Sequence, residues 1–545
     1  MGADRKASLA RWGVKIAAAL GPAALFYWIT LSTRSLGGYD WVYHYPYYDW
    51  IRTSLRQYHT LPLYMDTALI TPHFLANPET PLLGPLGWLL YVLPTAVYLK
   101  FLILAYATAG LLGMFALLRD EGIRGEVAIF GAVVFAFNGF FPSHIAVGHH
   151  WALGVYLFPA VLCLFRRGAR GNRGALCGAA ALNVACLLDG GHHPFIWQHL
   201  LIAMLTGLTC LQLRAMRPAY PWIGFVAASF GLGAVKLIPM IAEFRHYAPQ
   251  ARIMSLPPAA AIWSLLGRGQ DVATSRPDLL FKFGAGWWEY AFYVGALALT
   301  LTFVGLLAAR RSRPLLLAGC FFLALSLDLG GWAHWADVWQ TVKDLPVWRS
   351  QRAPSRFMIV AMFAFLAVAA GGLQSLLDRA HGRPRIHRWL RTLMGAVAFF
   401  VAFDLHLESR AWQRSNPGTY PVVPTYAPNI LVLGHEERVS GRLVKFTPER
   451  FTVVVKSKHG AVLVLRDEAI YSAQWRVSGG RLSSRQGHLA VIVPPGERTA
   501  IIVFAPRYWH LGLAVSTLTA LAAVIWVWLE RRKRPPGESR APGCS

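Results

Sequence analysis

Apolar stretches long enough to cross a hydrocarbon core of about 30 Å recur along most of this 545-residue chain. A spanning helix needs roughly 20 such residues, and the pattern reads as a polytopic α-helical membrane protein. Composition agrees with that reading. Hydrophobic residues make up 55% and charged residues 15% of the chain, against about 25% charged in soluble domains, and the mean hydropathy is +0.40. Candidate spans fall at roughly 13–33, 95–118, 127–142, 150–166, 175–188, 194–213, 220–240, 290–309, 314–329, 357–377, 391–408 and 507–529, about twelve in all. The first has basic residues before it and no convincing small-residue cleavage site after it, so it reads as a retained helix.

The net charge of +26 would suggest nucleic acid in a soluble protein. Here Arg and Lys sit in short clusters between apolar spans, with no basic face interleaved with aromatics, which argues against nucleic acid. With twelve spans, the N-terminus, "RRGARGNR", "RRSR", "DRAHGRPRIHRWLR" and "ERRKR" share one side. The loops "SHIAVGHH" and "DGGHH", on the other side, contain neither Arg nor Lys. The positive-inside rule makes the basic side cytoplasmic. A bacterial inner membrane location follows, with both termini cytoplasmic. Six cysteines without a CxxC suggest neither a disulfide framework nor a zinc site.

The chain divides into a transmembrane part, 1–408, with long outer loops at 34–94, 241–289 and 330–356, then 409–506, then a final span and basic tail, 507–545. Segment 409–506 carries short β-branched runs such as "FTVVVKS", "AVLVLRD", "LAVIVPP" and "TAIIVFA", punctuated by Gly and Pro. These read as strands of a small extracytoplasmic antiparallel domain resembling a β-sandwich.

Ionisable residues from distant parts of the chain converge on the outer face. The first loop opens with "GGYDWVYHYPYYDW", two acids in an aromatic patch. Asp40 and Asp49 lie nine residues apart, on opposite faces of any helix, with Pro46 as an expected interruption. They do not read as a paired dyad. Asp49 suits a helix cap or a partner for Arg52, whereas Asp40 suits chemistry, with Tyr39, Trp41 and His44 beside it. His149 lies in "SHIAVGHHW", His192 and His193 in "DGGHHPF". Adjacent histidines point in different directions and no ligand spacing such as HExxH occurs, so hydrogen bonding is favoured over a metal. Arg352 and Arg356, in "WRSQRAPSRF", stand on the side where the charge rule disfavours them, and Arg suits phosphate.

Taken together, "GGYDWVYHYPYYDWIRTSLRQYHTLPLY", "SHIAVGHHWALGVYLFPAVLCLFRR", "GGHHPFIW", "WRSQRAPSRF" and "YSAQWRVSGG" with "VIVPPGERTAIIVFAPRYWHLG" resemble the GT-C glycosyltransferases, and more narrowly the bacterial YfhO-like membrane proteins. The resemblance implies a GT-C-like fold and a polyprenyl-phosphate-linked sugar as donor. It also implies an extracytoplasmic acceptor that is a glycan, lipid or protein, and an Asp of the first loop as general base, which falls on Asp40. No cofactor is expected, and a divalent metal is left open but not favoured, because the first loop has no clear DxD. A multi-span transporter or lipid flippase, or a non-catalytic envelope assembly factor, would share the same gross pattern.

Overall fold

In a computed structural model of the protein, the described residues are 2–33, 36, 39–65, 73–244, 255–268, 286–309, 313–329, 338–345, 348, 351, 353–415, 430–434, 440–447, 449–465, 474–485, 488–506 and 508–532. The chain is mostly helical. Seven described helical segments are long and apolar enough to cross a membrane: Thr95–Asp120, Gly125–Ala146, His150–Ala169, His192–Leu213, Pro354–Arg379, Pro384–Gln413 and Trp509–Glu530. The pair Ala219–Leu232 and Ala234–Phe244 makes an eighth if its 78° bend is taken as one broken span. Gly13–Phe26, Arg173–Leu188, Ala296–Ala308 and Arg313–Ser326 are apolar but shorter. Each apolar stretch marked in the sequence therefore lies on a helix, although only seven or eight have spanning length.

Three helices lead into and open segment 34–94. Helix α1 (Gly2–Phe26) breaks at Tyr27 into α2 (Trp28–Ser32). Helix α3 (Trp41–Thr53) then carries Asp49 of the aromatic patch, with Asp40 at the N-cap position just before it. Pro46 sits inside α3 and does not interrupt it. A proline costs a helix the bond to the residue four positions back, and position 46 is near enough to the start of α3 for that loss to fall in the first turns. The α3 helix passes directly into a π-helical turn, Ser54–Tyr58, and stops at His59 in the left-handed conformation.

The break at Tyr27 frees backbone groups that lipid cannot satisfy, and the long helix Pro384–Ser415 supplies partners. Gln413 Nε2 donates to the Phe26 carbonyl at 2.9 Å, and Gln413 Oε1 accepts from the Thr30 amide at 2.7 Å. This helix continues beyond residue 408, where the sequence reading ended the transmembrane part. At the other end of the bundle, Asp120 holds Arg167 and Arg170, Glu121 holds Arg166, and Glu126 holds Arg391. The arginines there are thus tied to the ends of neighbouring helices.

The C-terminal domain has two four-stranded antiparallel sheets. One has the order β1 (Ile430–Gly434), β4 (Ala461–Leu465), β7 (His488–Val493), β6 (Arg481–Arg485). The other has β2 (Ser440–Thr447), β3 (Arg450–Ser457), β8 (Gly496–Phe504), β5 (Trp475–Ser478). Along β3 every second residue is buried, the period expected of a strand with one face on a core. Phe451, Val453 and Val455 of β3 and Ile502 and Phe504 of β8 share one core with Leu463 of β4 and Leu489 and Val491 of β7, so the sheets pack face to face. The same core takes in Tyr64 of the first loop, whose ring lies 4.8 Å from Trp475 and 5.2 Å from Phe504. Gln474 also donates to Glu243 at 3.1 Å. The sandwich is therefore anchored on the loop that carries α3.

Candidate functional site

Helix α3 is held at its start by the turn that follows Phe140–Ala146. The Asp40 amide donates to the Val147 carbonyl at 2.9 Å, and the Trp41 indole donates to the Ile145 carbonyl at 2.7 Å. Gly148 allows this approach. Its φ is +94°, and a Cβ there would lie 2.3 Å from the Trp41 nitrogen. Gly148→Ala is expected to cost about 1–3 kcal/mol from backbone strain alone and to lower the thermal unfolding temperature of the solubilised protein. Gly382→Ala, where an added Cβ meets nothing, is the comparison. An unchanged transition for Gly148→Ala would show that α3 does not depend on this turn.

The docking sets Asp40 against a pair of histidines. Asp40 Oδ2 lies 3.0 Å from His149 Nε2, and the side chains are 45% and 8% exposed. The Nδ1 atoms of His149 and His144 are 2.6 Å apart. One tautomer assignment fits three neighbours: His144 Nδ1–H donates to His149 Nδ1, and His149 Nε2–H donates to Asp40. His144 Nε2 is then a lone pair, in keeping with its having no hydrogen-bond partner among the described residues. Burial pushes the Asp40 carboxyl upward, but the His149 hydrogen bond and the nearby His149, His44 and Arg356 outweigh it, and its pKa falls below the ordinary value. Asp40 is therefore an ionised carboxylate, reachable from one side and braced on the other.

Trp151 joins this group to the rest of the site. Its ring lies 5.2 Å from His144, 5.7 Å from His149 and 5.3 Å from His193. The Arg356 guanidinium sits 4.5 Å above it, a cation–π contact. Arg356 in turn forks Glu289, with Nε and Nη2 donating at 2.7 and 2.6 Å. Burial pushes the Glu289 carboxyl up, yet the charge and hydrogen bonds of Arg356 prevail and hold it far below the carboxylate range. Gln351 Oε1 accepts from Trp197 Nε1 at 2.9 Å and lies 3.0 Å from His193 Nδ1.

A second carboxylate, Glu79, lies on the other side of His44. Its Oε2 is 3.9 Å from His44 Nε2, and its carbonyl lies 2.8 Å from His150 Nε2. Gly190, at φ +87°, lets the backbone approach there, since a Cβ would meet the Glu79 carbonyl at 2.5 Å. Burial pulls the His44 pKa below its ordinary value, and the charges of Glu79 and Asp40 offset only part of that effect.

The sequence-selected residues thus separate. Asp40, His44, His149, His193 and Arg356 gather around Trp151 and Glu79, and the His192 ring lies 3.9 Å from that of His193. Asp49 lies apart, accepting from Thr95 Oγ1 at 2.8 Å at the start of the helix Thr95–Asp120, a structural pin. Trp41 is buried and serves as an anchor, while Tyr39 is exposed with its ring 4.9 Å from Trp288. Arg352 lies outside the described residues. Glu79, Trp151, Glu289 and Gln351 were not selected from the sequence. Glu289 carried the same signal as Asp40, an acid within an aromatic run, "GWWEYAFY". Among the described residues, no group of three or more His, Cys, Asp and Glu side chains is arranged to hold a metal ion. No protein-family model matches the chain, and no curated protein matches it.

Proposed function

We propose that this chain is an integral membrane glycosyltransferase that moves a sugar from a polyprenyl-phosphate donor to an extracytoplasmic acceptor. The observation that carries the reading is the part-exposed, ionised Asp40 carboxylate held by His149 and His144, with the Arg356 guanidinium on the Trp151 ring that adjoins both histidines. In the proposed reaction an acceptor hydroxyl oxygen bonds to the anomeric carbon and its proton passes to Asp40. The bond from that carbon to the phosphate oxygen breaks, and its electron pair leaves with the polyprenyl phosphate. The fork to Glu289 does not use Nη1 of Arg356, so that group, with Arg352, is assigned to the phosphate. Tyr39 and Tyr43, both exposed, supply faces for a sugar ring. Purified protein given a polyprenyl-phosphate sugar and an envelope extract should transfer label to an acceptor. Loss of the gene should remove one surface glycan.

The reading places twelve spans in a bacterial inner membrane, with both termini cytoplasmic and Asp40 and the sandwich outside. Ser484, exposed on β6, and Gly382, in a basic loop, test this placement. A cysteine at Ser484 should react with an impermeant thiol reagent in intact spheroplasts, above the level of the parent chain, and one at Gly382 should not. The reverse pattern would invert the topology and move Asp40 to the cytoplasm.

One observation favours a second reading, a transporter or lipid flippase. Broken helices with buried charge at the break mark many transport sites. Here the helix pair bent by 78° at Gly233 carries Lys236, buried and donating to the Thr80 carbonyl. Beside it burial lifts the Asp189 carboxyl to about 7, against the Tyr106 hydrogen bond and the Lys236 charge. Proteoliposomes separate the readings: label on a new acceptor indicates transfer, whereas donor lipid crossing the bilayer unchanged indicates transport.

A further inference from the structure

A groove of about 310 Å3 opens beside the break between α1 and α2, lined by Leu25, Trp28, Ile29, Ser32, His406 and Arg410. None of these residues belongs to the Asp40 cluster. Its rim is lipid-facing in character: Leu25 and Trp28 are 65% and 62% exposed, and Phe399, Phe400 and Phe403 of the adjoining helix are also exposed. Such a surface on a chain of this kind is covered by acyl chains.

The groove nevertheless contains a cation. His406 and Arg410 are four residues apart on the helix Pro384–Ser415, on one face of it. Arg391 of the same helix forks Glu126, and Arg166, Arg167 and Arg170 are all ion-paired. Among the described residues no carboxylate lies within ion-pair distance of Arg410, and the His406 ring bonds to the Phe26 backbone. His406 Nδ1 has no hydrogen-bond partner among the described residues. A charge on a lipid-facing helix is expensive unless something pairs with it. Trp28 at the mouth suits the headgroup level, where indoles concentrate.

We infer that this groove binds one anionic phospholipid, its phosphate on Arg410 and its chains along Leu25 and Ile29. The lipid supplies a counter-charge that none of the described residues provides, and it fills the notch left where α1 breaks. A free phosphate would satisfy Arg410 but leave the apolar walls uncovered.

The test is native mass spectrometry of the full-length protein in neutral detergent, titrated with phosphatidylglycerol, phosphatidylcholine, polyprenyl monophosphate or inorganic phosphate. Phosphatidylglycerol should bind about tenfold more tightly than phosphatidylcholine, whose phosphate charge is already offset by its own choline ammonium. Arg410→Gln should abolish that preference and Arg410→Lys should restore part of it. Arg476→Gln, on the exposed side of β5, should leave it intact. Inorganic phosphate should not displace the lipid. Equal binding of the two phospholipids, or an unchanged preference in Arg410→Gln, would overturn the assignment. Tighter binding of polyprenyl monophosphate than of phosphatidylglycerol would also overturn it and give the groove to the donor lipid.

Discussion

Asp40→Asn is expected to lower the rate of sugar transfer by about 10²–10⁴-fold, the usual cost of losing a general base, with little change in folding. The amide is isosteric, and its oxygen can still accept from His149 Nε2, which lies 3.0 Å from the carboxylate in the parent. The backbone bonds that dock α3, from the Asp40 amide to Val147 and from the Trp41 indole to Ile145, do not involve the side chain. Activity and stability should therefore separate. The ionised state of Asp40 adds a pH expectation. Its pKa lies below 3.8, so the carboxylate stays charged throughout the neutral range, and protonation of Asp40 should produce no acid limb above about pH 4. Asp49→Asn is the comparison, because Asp49 pins Thr95 and should affect unfolding temperature more than turnover. Turnover of a polyprenyl-phosphate sugar by the two variants, with thermal unfolding alongside, checks both. Near-parent turnover in Asp40→Asn would remove Asp40 from the base role.

Much of the helical framework was legible because its signal is local. An apolar run such as "KFLILAYATAGLLGMFALL" has one stable form in lipid, and β3 and β8 show their burial through a period of two. What stayed hidden is tertiary. Glu79 has no motif around it and becomes notable only because Gly190 lets His150 reach its carbonyl and His44 lies against its carboxylate. Trp151 reads as one apolar residue among many in "HHWALGVY", yet its ring contacts draw together His144, His149, His193 and Arg356. Pro46 misled in the other direction: a local rule anticipated a break, but packing on the Val147 turn holds α3 helical through it. Asp40 was legible because a carboxylate among rings is unusual wherever it occurs. That cue also fits Glu289, and it could have been applied to segment 241–289.

Glu289 leads to the largest expected loss of stability. Glu289 and Arg356 are 6% and 7% exposed, so each charge depends on the other. Removing one member of a buried pair leaves the other uncompensated and costs about 3–5 kcal/mol. Glu289→Gln is therefore expected to lower the unfolding temperature markedly, whereas Glu289→Asp, which keeps the charge on a shorter arm, should recover part of it. The pH dependence has a definite sign. The folded pKa of Glu289 lies far below its unfolded value of 4.5. The pair's contribution is complete above that value and is lost as the pH falls from there toward the folded pKa. The parent and Glu289→Gln should differ most in stability at neutral pH and converge in acid. The Arg356 charge should also act on Asp40, whose pKa it helps to depress. If Glu289→Gln is made tolerable by a stabilising background, the freed Arg356 should be able to turn toward the donor phosphate or away from it. The first outcome lowers KM for the donor and the second raises it with kcat little changed. An unchanged KM in a folded Glu289→Gln variant would mean that Arg356 serves the packing of Trp151 alone, and the phosphate would then have to rest on other cations.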